Sequence, residues 1–317
     1  MTTADVSDAA EGSDLSPPPK ERTGFRRPDT RAGLLFVLPA IVLLTVFIIV
    51  PFGLAIAFSF TNQRLISPLA TRFVGFENYI DQFTDPLFWK SLWNNARFSL
   101  FVVPVQTALA LGLAVMVNQK IRGRVAFRTI YFTPVTVVMA AAATIWVLLF
   151  QPNGLINGFF ELITFGNFSP EWLNDPTWAM WAIIAVSIWQ GVGFQMIILL
   201  AALQDVPTEL YEAAAIDGAD TWQQFRNVTI PGIRNQLIFV LTVTTILAMR
   251  LYDQPVLMPR SPGGPVDSTR TAMVHMIEIG YNRQAIGRGS TVAVIFFIIV
   301  LVLTLLQRRF LREESAQ

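Results

Sequence analysis

After residue 32 the chain alternates long apolar runs with shorter polar connections. Six runs are apolar and long enough to cross a membrane, near residues 33–60, 95–118, 127–150, 178–203, 235–257 and 288–308. A bilayer with a hydrocarbon core of roughly 30 Å needs about 20 helical residues for each crossing. The runs are continuous rather than alternating, which is typical of helices and not of barrel strands. The pattern therefore predicts an all-α, polytopic membrane protein, a helical bundle with six transmembrane helices.

The composition agrees with this class of protein. Hydrophobic residues make up 53% of the chain and charged residues 14%, whereas soluble domains carry about 25% charged residues. The absence of cysteine excludes disulfides, thiol catalysis and thiolate metal sites. The one histidine, His275, is expected in a polar loop or an interface, and no metal site or catalytic triad is predicted. With a net charge of +1 and no basic block outside the membrane flanks, we expect no nucleic-acid partner.

The distribution of basic residues predicts the orientation, because Lys and Arg in short loops favour the cytoplasmic side. With six spans and both ends inside, four basic groups share one side: Lys20, Arg22, Arg26, Arg27 and Arg31; Lys120, Arg122, Arg124 and Arg128; Arg226 and Arg234; Arg308, Arg309 and Arg312. Connection 151–177 has no Lys or Arg and suits the outer side, whereas Arg260, Arg270 and Arg283 fit it least. We therefore predict cytoplasmic N- and C-termini in a bacterial inner membrane.

The two ends of the chain are polar. Residues 1–31 are rich in Asp, Ser, Pro and Arg with few aromatic residues, so we expect a disordered cytoplasmic tail. Residues 32–312 form the six-span domain, and 313–317 a short cytoplasmic C-terminus. No cleavable signal peptide is expected, because the first apolar run is far longer than the roughly 7–15-residue core of a signal.

The polar segment 204–234, between the fourth and fifth runs, has helical patterning. Gly218 is a natural C-terminal stop for a first helix. Asp220 or Thr221 then caps a second helix, and Pro231 is expected to end that helix before the fifth span. The segment therefore predicts a helix, a glycine turn and a second helix on the cytoplasmic side, which we call the elbow.

A second interpretation of the elbow is an amphipathic helix lying on the membrane surface. Such helices carry Lys and Arg on their polar face. The first elbow helix carries acids instead, among them Glu209 and Glu212, and an anionic leaflet would repel them. We therefore favour contact with a protein.

The elbow resembles the EAA loop of ATP-binding-cassette (ABC) importer permeases, whose pattern is E-A-A, three residues, G, nine residues, then I-x-L-P. Glu212, Ala213 and Ala214 precede Gly218 at that spacing. The end of the pattern has two conservative replacements, at Val228 and Ile230, before Pro231. The resemblance implies a coupling helix that inserts into a cleft of an ATPase subunit, with these residues at or near the contact: Glu212, Ala213, Ala214, Asp217, Gly218, Ala219 and Pro231.

Further stretches are similar to the carbohydrate-uptake permeases of the maltose and glycerol-phosphate type. They are F-V-G-F-E-N-Y at 73–79, F-R-T-I-Y-F-T-P at 127–134, N-G-L-I-N at 153–157 and G-G-P-V-D-S-T at 263–269. The chain departs from that family at Ser261-Pro262 and at Arg250, where an uncharged residue is usual. The resemblance implies the fold of type I ABC importer permeases over residues 32–312.

The chain has no nucleotide-binding P-loop, because none of Lys20, Lys90 and Lys120 follows a glycine. We therefore predict that this chain is not an enzyme, binds no cofactor itself, and leaves ATP and Mg to a separate subunit. The resemblance implies these partners: a second, different permease subunit forming a heterodimer, two ABC ATPase subunits, an extracytoplasmic substrate-binding protein and the lipid bilayer.

Uncharged hydrogen-bonding and aromatic side chains inside the spans predict a substrate path. The candidates are Trp189, Gln190, Gln195, Thr242, Thr244 and Thr245, although Ser and Thr in spans are more often contacts between helices. Arg250 and Asp253 are three residues apart in the fifth run and are expected to share a helix face. They form either a paired interfacial couple, or a polar wall for substrate hydroxyls in which Arg250 meets an anionic group.

We predict the permease subunit of an ATP-driven, binding-protein-dependent importer for a sugar or related polyol derivative. A disaccharide, an oligosaccharide and a glycerol-phosphate compound all fit. One alternative is an ion-coupled secondary transporter of small polar solutes, which needs buried Asp, Glu or His near mid-membrane. The first four runs contain almost no such residue. A membrane scaffold that binds partners without transport is the other alternative.

Overall fold

The structure, a computed structural model, describes residues 28–66, 70–119 and 123–313. Most of the predicted N-terminal tail and residues 314–317 lie outside these ranges. The same is true of several basic residues used to predict the orientation: Lys20, Arg22, Arg26, Arg27, Lys120 and Arg122.

The regular structure of the described residues is helical, apart from one antiparallel β-bridge between Thr61 and Phe73. The α-helices are α1 Pro28–Leu44, α2 Val50–Ser59, α3 Glu77–Thr84, α4 Pro86–Asn118, α5 Arg124–Thr136, α6 Met139–Leu149, α7 Leu155–Thr164, α8 Ala179–Gln204, α9 Thr208–Ile216, α10 Thr221–Gln224, α11 Ile230–Gly232, α12 Arg234–Met249, α13 Asp253–Leu257, α14 Ala272–Ile277 and α15 Ile286–Glu313. Shorter helical segments are the π-helices Thr45–Ile49, Phe225–Thr229 and Glu278–Asn282 and the 3-10 helix Pro265–Asp267. The all-α prediction is confirmed.

The described part of the chain contains five helical stretches that are long and apolar enough to cross a membrane. They are Gly33–Ser59, Pro86–Asn118, Ala179–Gln204, Arg234–Leu257 and Ile286–Arg309. The pair Arg124–Thr136 and Met139–Leu149 makes a sixth crossing if the two helices form one span.

The chain divides into two compact units, residues 1–52 and 53–317. The described part of the first unit is α1, with Pro39 inside it, followed by a π-helical turn and the start of α2. Its apolar side chains are exposed, Phe36 to 87%, as expected for a helix whose solvent is lipid.

The second unit is built around α4 and α8, which pack side by side, with α5 and α12 against them. One apolar cluster surrounds Phe98, Met180 and Ile183. A second, at the other end of the same helices, contains Met196 and Leu199 and extends to the residues that carry the elbow. We call this second end the elbow end, and the opposite end, with α7 and α14, the far end.

The helix that carries the second predicted span begins before residue 95, because α4 starts at Pro86. The Asp85 carboxylate accepts a hydrogen bond of 2.8 Å from the Leu87 N–H, and proline is favourable at the first helical position. The added turns contain polar residues that are buried by tertiary packing, such as Ser91 and Asn94. The apolar pattern alone therefore did not predict the first turns of α4.

The third predicted span, 127–150, is not one continuous helix. α5 ends at Thr136, and α6 leaves at an angle of 99° to it. Pro134 lies in the last turn of α5, where its ring removes a backbone donor and disfavours a straight helix. The carbonyl of Val137, in the break, accepts a hydrogen bond of 3.1 Å from Gln190 Nε2 of α8. A partner 53 residues away in sequence therefore supports the break.

Candidate functional site

The elbow has the helix, glycine turn and second helix expected from its sequence. α9 follows Pro207, which is its N-cap residue. Gly218 ends α9 with a φ of +81°, a conformation that strains any residue with a Cβ atom. The Ala219 N–H donates to the Ala214 carbonyl at 2.9 Å and the Gly218 N–H to the Ala215 carbonyl at 3.1 Å. These two bonds are a Schellman motif, which closes the helix.

The second elbow helix begins at a complete capping box. The Asp220 carboxylate accepts from the Gln223 N–H at 2.8 Å, and the Gln223 side chain accepts from the Asp220 N–H at 2.9 Å. The helix does not end at Pro231 as predicted. It runs through π-helical residues 225–229 to Gly232, and the bend before α12 falls at Ile233, which is fully buried.

Most residues that the resemblance assigns to coupling are accessible. Glu212, Ala213, Asp217, Gly218 and Pro231 are exposed, and Ala214 and Ala219 half-buried. Large apolar side chains are also exposed on the elbow: Leu210, Ile216 and Trp222. α9 has no basic residue. The elbow therefore offers an acidic and apolar surface at one end of the bundle.

A cavity of about 390 Å³ lies between α4, α8 and α12. Its polar lining residues are Gln106, Ser187, Gln190, Gln195, Thr244, Arg250, Tyr252, Asp253 and Gln254. Uncharged amides and hydroxyls dominate this set. Of the two charged residues, Arg250 follows the last residue of α12 and Asp253 is the first residue of α13. Amides and hydroxyls are the groups that fix the orientation of a polar ligand in a mostly apolar pocket.

Gln195 and Thr244 form the best-defined polar contact of the cavity. Gln195 Nε2 donates a hydrogen bond of 2.6 Å to Thr244 Oγ1, and that hydroxyl donates to the Val240 carbonyl at 2.7 Å. Gln195 is 2% exposed, and its Oε1 atom has no hydrogen-bond partner within the described residues. An unsatisfied buried acceptor costs about 1–3 kcal/mol. The structure therefore leaves an acceptor for a ligand hydroxyl.

Three of the predicted path residues, Trp189, Thr242 and Thr245, do not line the cavity. Trp189 packs its ring edge-to-face on Trp146, with ring centroids 5.3 Å apart. Thr245 is buried, and its hydroxyl donates to the Leu241 carbonyl at 2.8 Å. Thr242 is half-buried, and its hydroxyl donates to the Ile238 carbonyl at 2.8 Å. Packing sets the direction of each side chain around its helix, and this direction explains all three cases.

Arg250 and Asp253 both line the cavity, but not as a pair on one helix face. α12 ends at Met249 and α13 begins at Asp253, so the expected i, i+3 geometry is interrupted. Within the described residues neither side chain makes an ion pair, and both are exposed. The prediction of a shared face is wrong, because the helix breaks between them.

Gln106 is a cavity residue that the sequence analysis missed. It is buried in α4, and its side chain lies against Gly191 of α8, where an added Cβ would be 2.5 Å from Gln106 Nε2. The available signal was an amide inside an otherwise apolar span. Its position opposite a glycine of another helix is visible only in the fold.

At the far end, residues 263–269 form a tight loop that is held on α4. Val266 and Asp267 both have positive φ, 52° and 56°, which is strained for a β-branched residue such as valine. Lys90 Nζ donates to the Val266 carbonyl at 2.6 Å. Asn94 Nδ2 donates to the carbonyls of Asp267 and Arg270 at 3.0 and 2.8 Å. The exposed Val266 side chain is thus presented on a supported loop.

His275 is buried at the same end, with its Nε2 atom 3.3 Å from Gln82 Oε1 and 3.8 Å from Asp85 Oδ2. Burial lowers its pKa from 6.5 to about 4, with Asp85 opposing and Arg270 and Arg283 reinforcing the shift. The pKa of Glu278 is also lowered, because Asn282 donates a hydrogen bond of 2.7 Å to its carboxylate. Within the described residues no cluster of acidic or histidine side chains suits a metal ion.

Comparison with known proteins gives the family. Residues 106–313 match the model of the binding-protein-dependent transport system inner membrane component. The chain belongs to this family. It is therefore a membrane permease of a transport system and not itself a catalyst, since ATP hydrolysis resides on a partner subunit. The family assignment favours an importer permease over an ion-coupled carrier.

Individual relatives cover nearly the whole chain. The lactose transport system permease protein of Rhizobium radiobacter is 32% identical over 93% of this chain and 98% of its own. The sulfoquinovosyl glycerol transport system permease protein of Agrobacterium fabrum is 32% identical over 90% and 92%. A crystal structure of the bacterial alginate ABC transporter, in complex with an alginate pentasaccharide-bound periplasmic protein, matches with a TM-score of 0.77 at 22% identity over 90% and 96%. The last match confirms the type I permease fold.

Proposed function

We propose that this chain is the permease subunit of an ATP-driven importer that takes up a sugar or a closely related polyol derivative. The observation that carries the proposal is the cavity between α4, α8 and α12, which pairs apolar walls with amides and hydroxyls. A sugar offers several hydroxyl groups, and each can both donate and accept hydrogen bonds. The two relatives named for lactose and sulfoquinovosyl glycerol support the same substrate class.

The elbow supports coupling to an ATPase. Its exposed Glu212 and Gly218 stand at the E-A-A and glycine positions of the resembled pattern. An ATPase cleft that receives α9 would cover exposed apolar groups such as Ile216, which is 86% exposed in this chain. ATP and Mg would bind to that subunit. Movement of the ATPase would then reach the cavity through α8, because this helix both lines the cavity and leads into α9.

The arrangement of partners extends this proposal. We infer a second, different permease that completes the translocation path, two ATPase subunits at the elbow end, and a binding protein at the far end. The supported loop around Val266 is suited to contact such a protein, because it is exposed yet held by Lys90 and Asn94. The elbow end would be cytoplasmic with both termini, in agreement with the basic residues Arg226 and Arg234 on that side.

The test measures ATP hydrolysis by the full complex, co-purified and reconstituted in lipid nanodiscs. Binding protein is added without ligand or loaded with one member of a panel of neutral and acidic sugars and glycerophosphodiesters. Stimulation by a sugar supports the proposal. Glu212→Ala should abolish the stimulation, whereas Glu161→Ala, which removes an exposed acid at the far end, should leave it unchanged. Uptake that continues with an inactive ATPase would contradict the proposal.

A further inference from the structure

α7 carries a stripe of exposed apolar side chains at the far end of the bundle. Leu155, Phe159, Leu162 and Ile163 are 76, 60, 77 and 56% exposed. Their spacing of i, i+4, i+7 and i+8 places them on one helix face. The next apolar residue, Phe165, caps the helix with a positive φ and is also exposed. We call the four helical residues the α7 stripe.

The opposite face of α7 is fixed to the protein. Asn157 is 1% exposed; it accepts a hydrogen bond of 2.7 Å from Trp172 Nε1 and donates one of 3.2 Å to the Pro170 carbonyl. The Phe160 ring lies on the Trp172 ring, with centroids 5.5 Å apart. Because these contacts set the rotation of the helix, the α7 stripe is held facing away from the bundle.

The ends of two membrane crossings determine where α7 lies. A Cβ added to Gly154, the residue before α7, would be 2.4 Å from the carbonyl oxygen of Leu149, the last residue of α6. On the other side, Trp172 packs on Trp178, the residue before α8, with centroids 5.4 Å apart. Tryptophan is enriched where spans meet the membrane–water interface. α7 therefore lies at the level of the membrane boundary.

We propose that the α7 stripe inserts into the bilayer leaflet at the far end, parallel to the membrane surface. The bilayer already reaches this level, so exposed apolar side chains here meet acyl chains without any further partner. Residues 151–177 have no Lys or Arg. Like α9, α7 therefore lacks basic residues, but unlike α9 it presents four large apolar side chains on one face. Insertion is therefore apolar and does not depend on anionic headgroups. The inserted helix holds the end of α6, which lacks the support of a continuous helix because of its break from α5.

A pair of single cysteines tests the insertion, because the natural chain has none. Leu162→Cys places a reporter on the stripe. Glu161→Cys, its exposed neighbour on a different helix face, is the matched control. Each full-length variant, with its partner subunits in nanodiscs, is labelled with the environment-sensitive dye NBD. Labelling of the unsubstituted complex shows how much dye attaches to the partner subunits. NBD fluorescence is then measured with two quenchers: phosphatidylcholine that carries a spin label on its acyl chain, and iodide dissolved in the water.

The expected result is strong quenching at position 162 by the spin-labelled lipid with little effect of iodide, and the reverse at position 161. Phe159→Cys should behave as Leu162→Cys does, and replacing anionic lipid with neutral lipid should change neither. Access of iodide to positions 159 and 162 would overturn the proposal. Protection of both positions from lipid and iodide quenchers would also overturn it, because a protein would then cover the stripe. Neither outcome bears on transport, so the test is independent of the proposed function.

Discussion

The Gln195 amide donates a hydrogen bond of 2.6 Å to the Thr244 hydroxyl and thereby joins α8 to α12 inside the cavity. The same amide keeps its oxygen without a partner in the described residues. The nitrogen of this side chain thus holds two helices together, and its oxygen is available to accept a hydrogen bond from a ligand. Transport and stability are expected to respond differently to its replacement.

Gln195→Met should impair transport with little loss of stability, because loss of the hydrogen bond to Thr244 is offset by removal of a buried acceptor that has no partner in the described residues. The substitution keeps much of the side-chain volume and removes the acceptor; a substrate hydrogen bond of about 0.5–1.5 kcal/mol corresponds to roughly a 2- to 10-fold loss of affinity. The measurement is the ligand concentration that half-maximally stimulates ATP hydrolysis. Thr107→Val is the control, because Thr107 Oγ1 is another buried atom without a partner but does not line the cavity. Equal effects of both substitutions on transport would remove the basis for a substrate contact.

Gly218→Ala should uncouple the elbow. A Cβ atom at a φ of +81° costs about 1–2 kcal/mol, and it loosens the turn that positions α9. Substrate-stimulated ATP hydrolysis measures the coupling. Gly123→Ala is the matched control, since Gly123 has a φ of +83° and, like Gly218, nothing within 4 Å of an added Cβ. If both variants lose stimulation equally, strain in general and not the elbow is responsible.

Gly193→Ala should destabilise the bundle itself. An added Cβ would lie 2.0 Å from the Tyr131 carbonyl oxygen, so α5 and α8 must separate. Overpacking of this kind costs about 1–3 kcal/mol, and the melting temperature of the chain in detergent should fall. Gly112→Ala, in α4 with open space around the glycine, should leave the melting temperature unchanged or raise it, because alanine has the higher helix propensity. An unchanged melting temperature for Gly193→Ala would mean that the two helices pack less closely than described.

His275 should make stability depend on pH. Its folded-state pKa is about 4 and its ordinary value 6.5, so between these values the unfolded chain binds a proton that the folded chain rejects. His275 therefore does not lower the free energy of unfolding above its ordinary pKa of 6.5. The free energy of unfolding falls as the pH decreases from 6.5 towards the folded-state pKa of about 4. His275→Asn should flatten the fall of melting temperature over this interval. Glu278→Gln should not flatten this fall. The pKa of the Glu278 carboxylate is lowered from 4.5, so its protonation affects stability only below about pH 4.5. If His275→Asn leaves the slope of melting temperature against pH unchanged, other titratable groups cause the pH dependence.

Local rules accounted for much of the elbow. Gly218 is predicted to end α9, because a glycine in the left-handed backbone conformation closes a helix through hydrogen bonds between residues close in the chain. The capping position was narrowed to Asp220 or Thr221, and the structure selects Asp220 with Gln223. The prediction that Pro231 ends the second elbow helix is wrong. Pro231 lies inside the last helical turn, and the bend falls two residues later, where Ile233 is buried against the bundle.

The sequence by itself determined the long apolar runs, the helix–glycine–helix elbow and the family resemblance, because hydropathy and helix capping act between residues close in the chain. Tertiary structure decided which polar side chains meet in the cavity. Gln106 finds its place opposite Gly191, and Gln195 bonds to a residue 49 positions away. The break after Pro134 likewise depends on Gln190 of another helix. Such contacts depend on how each helix is rotated against its neighbours, and no local pattern encodes that rotation.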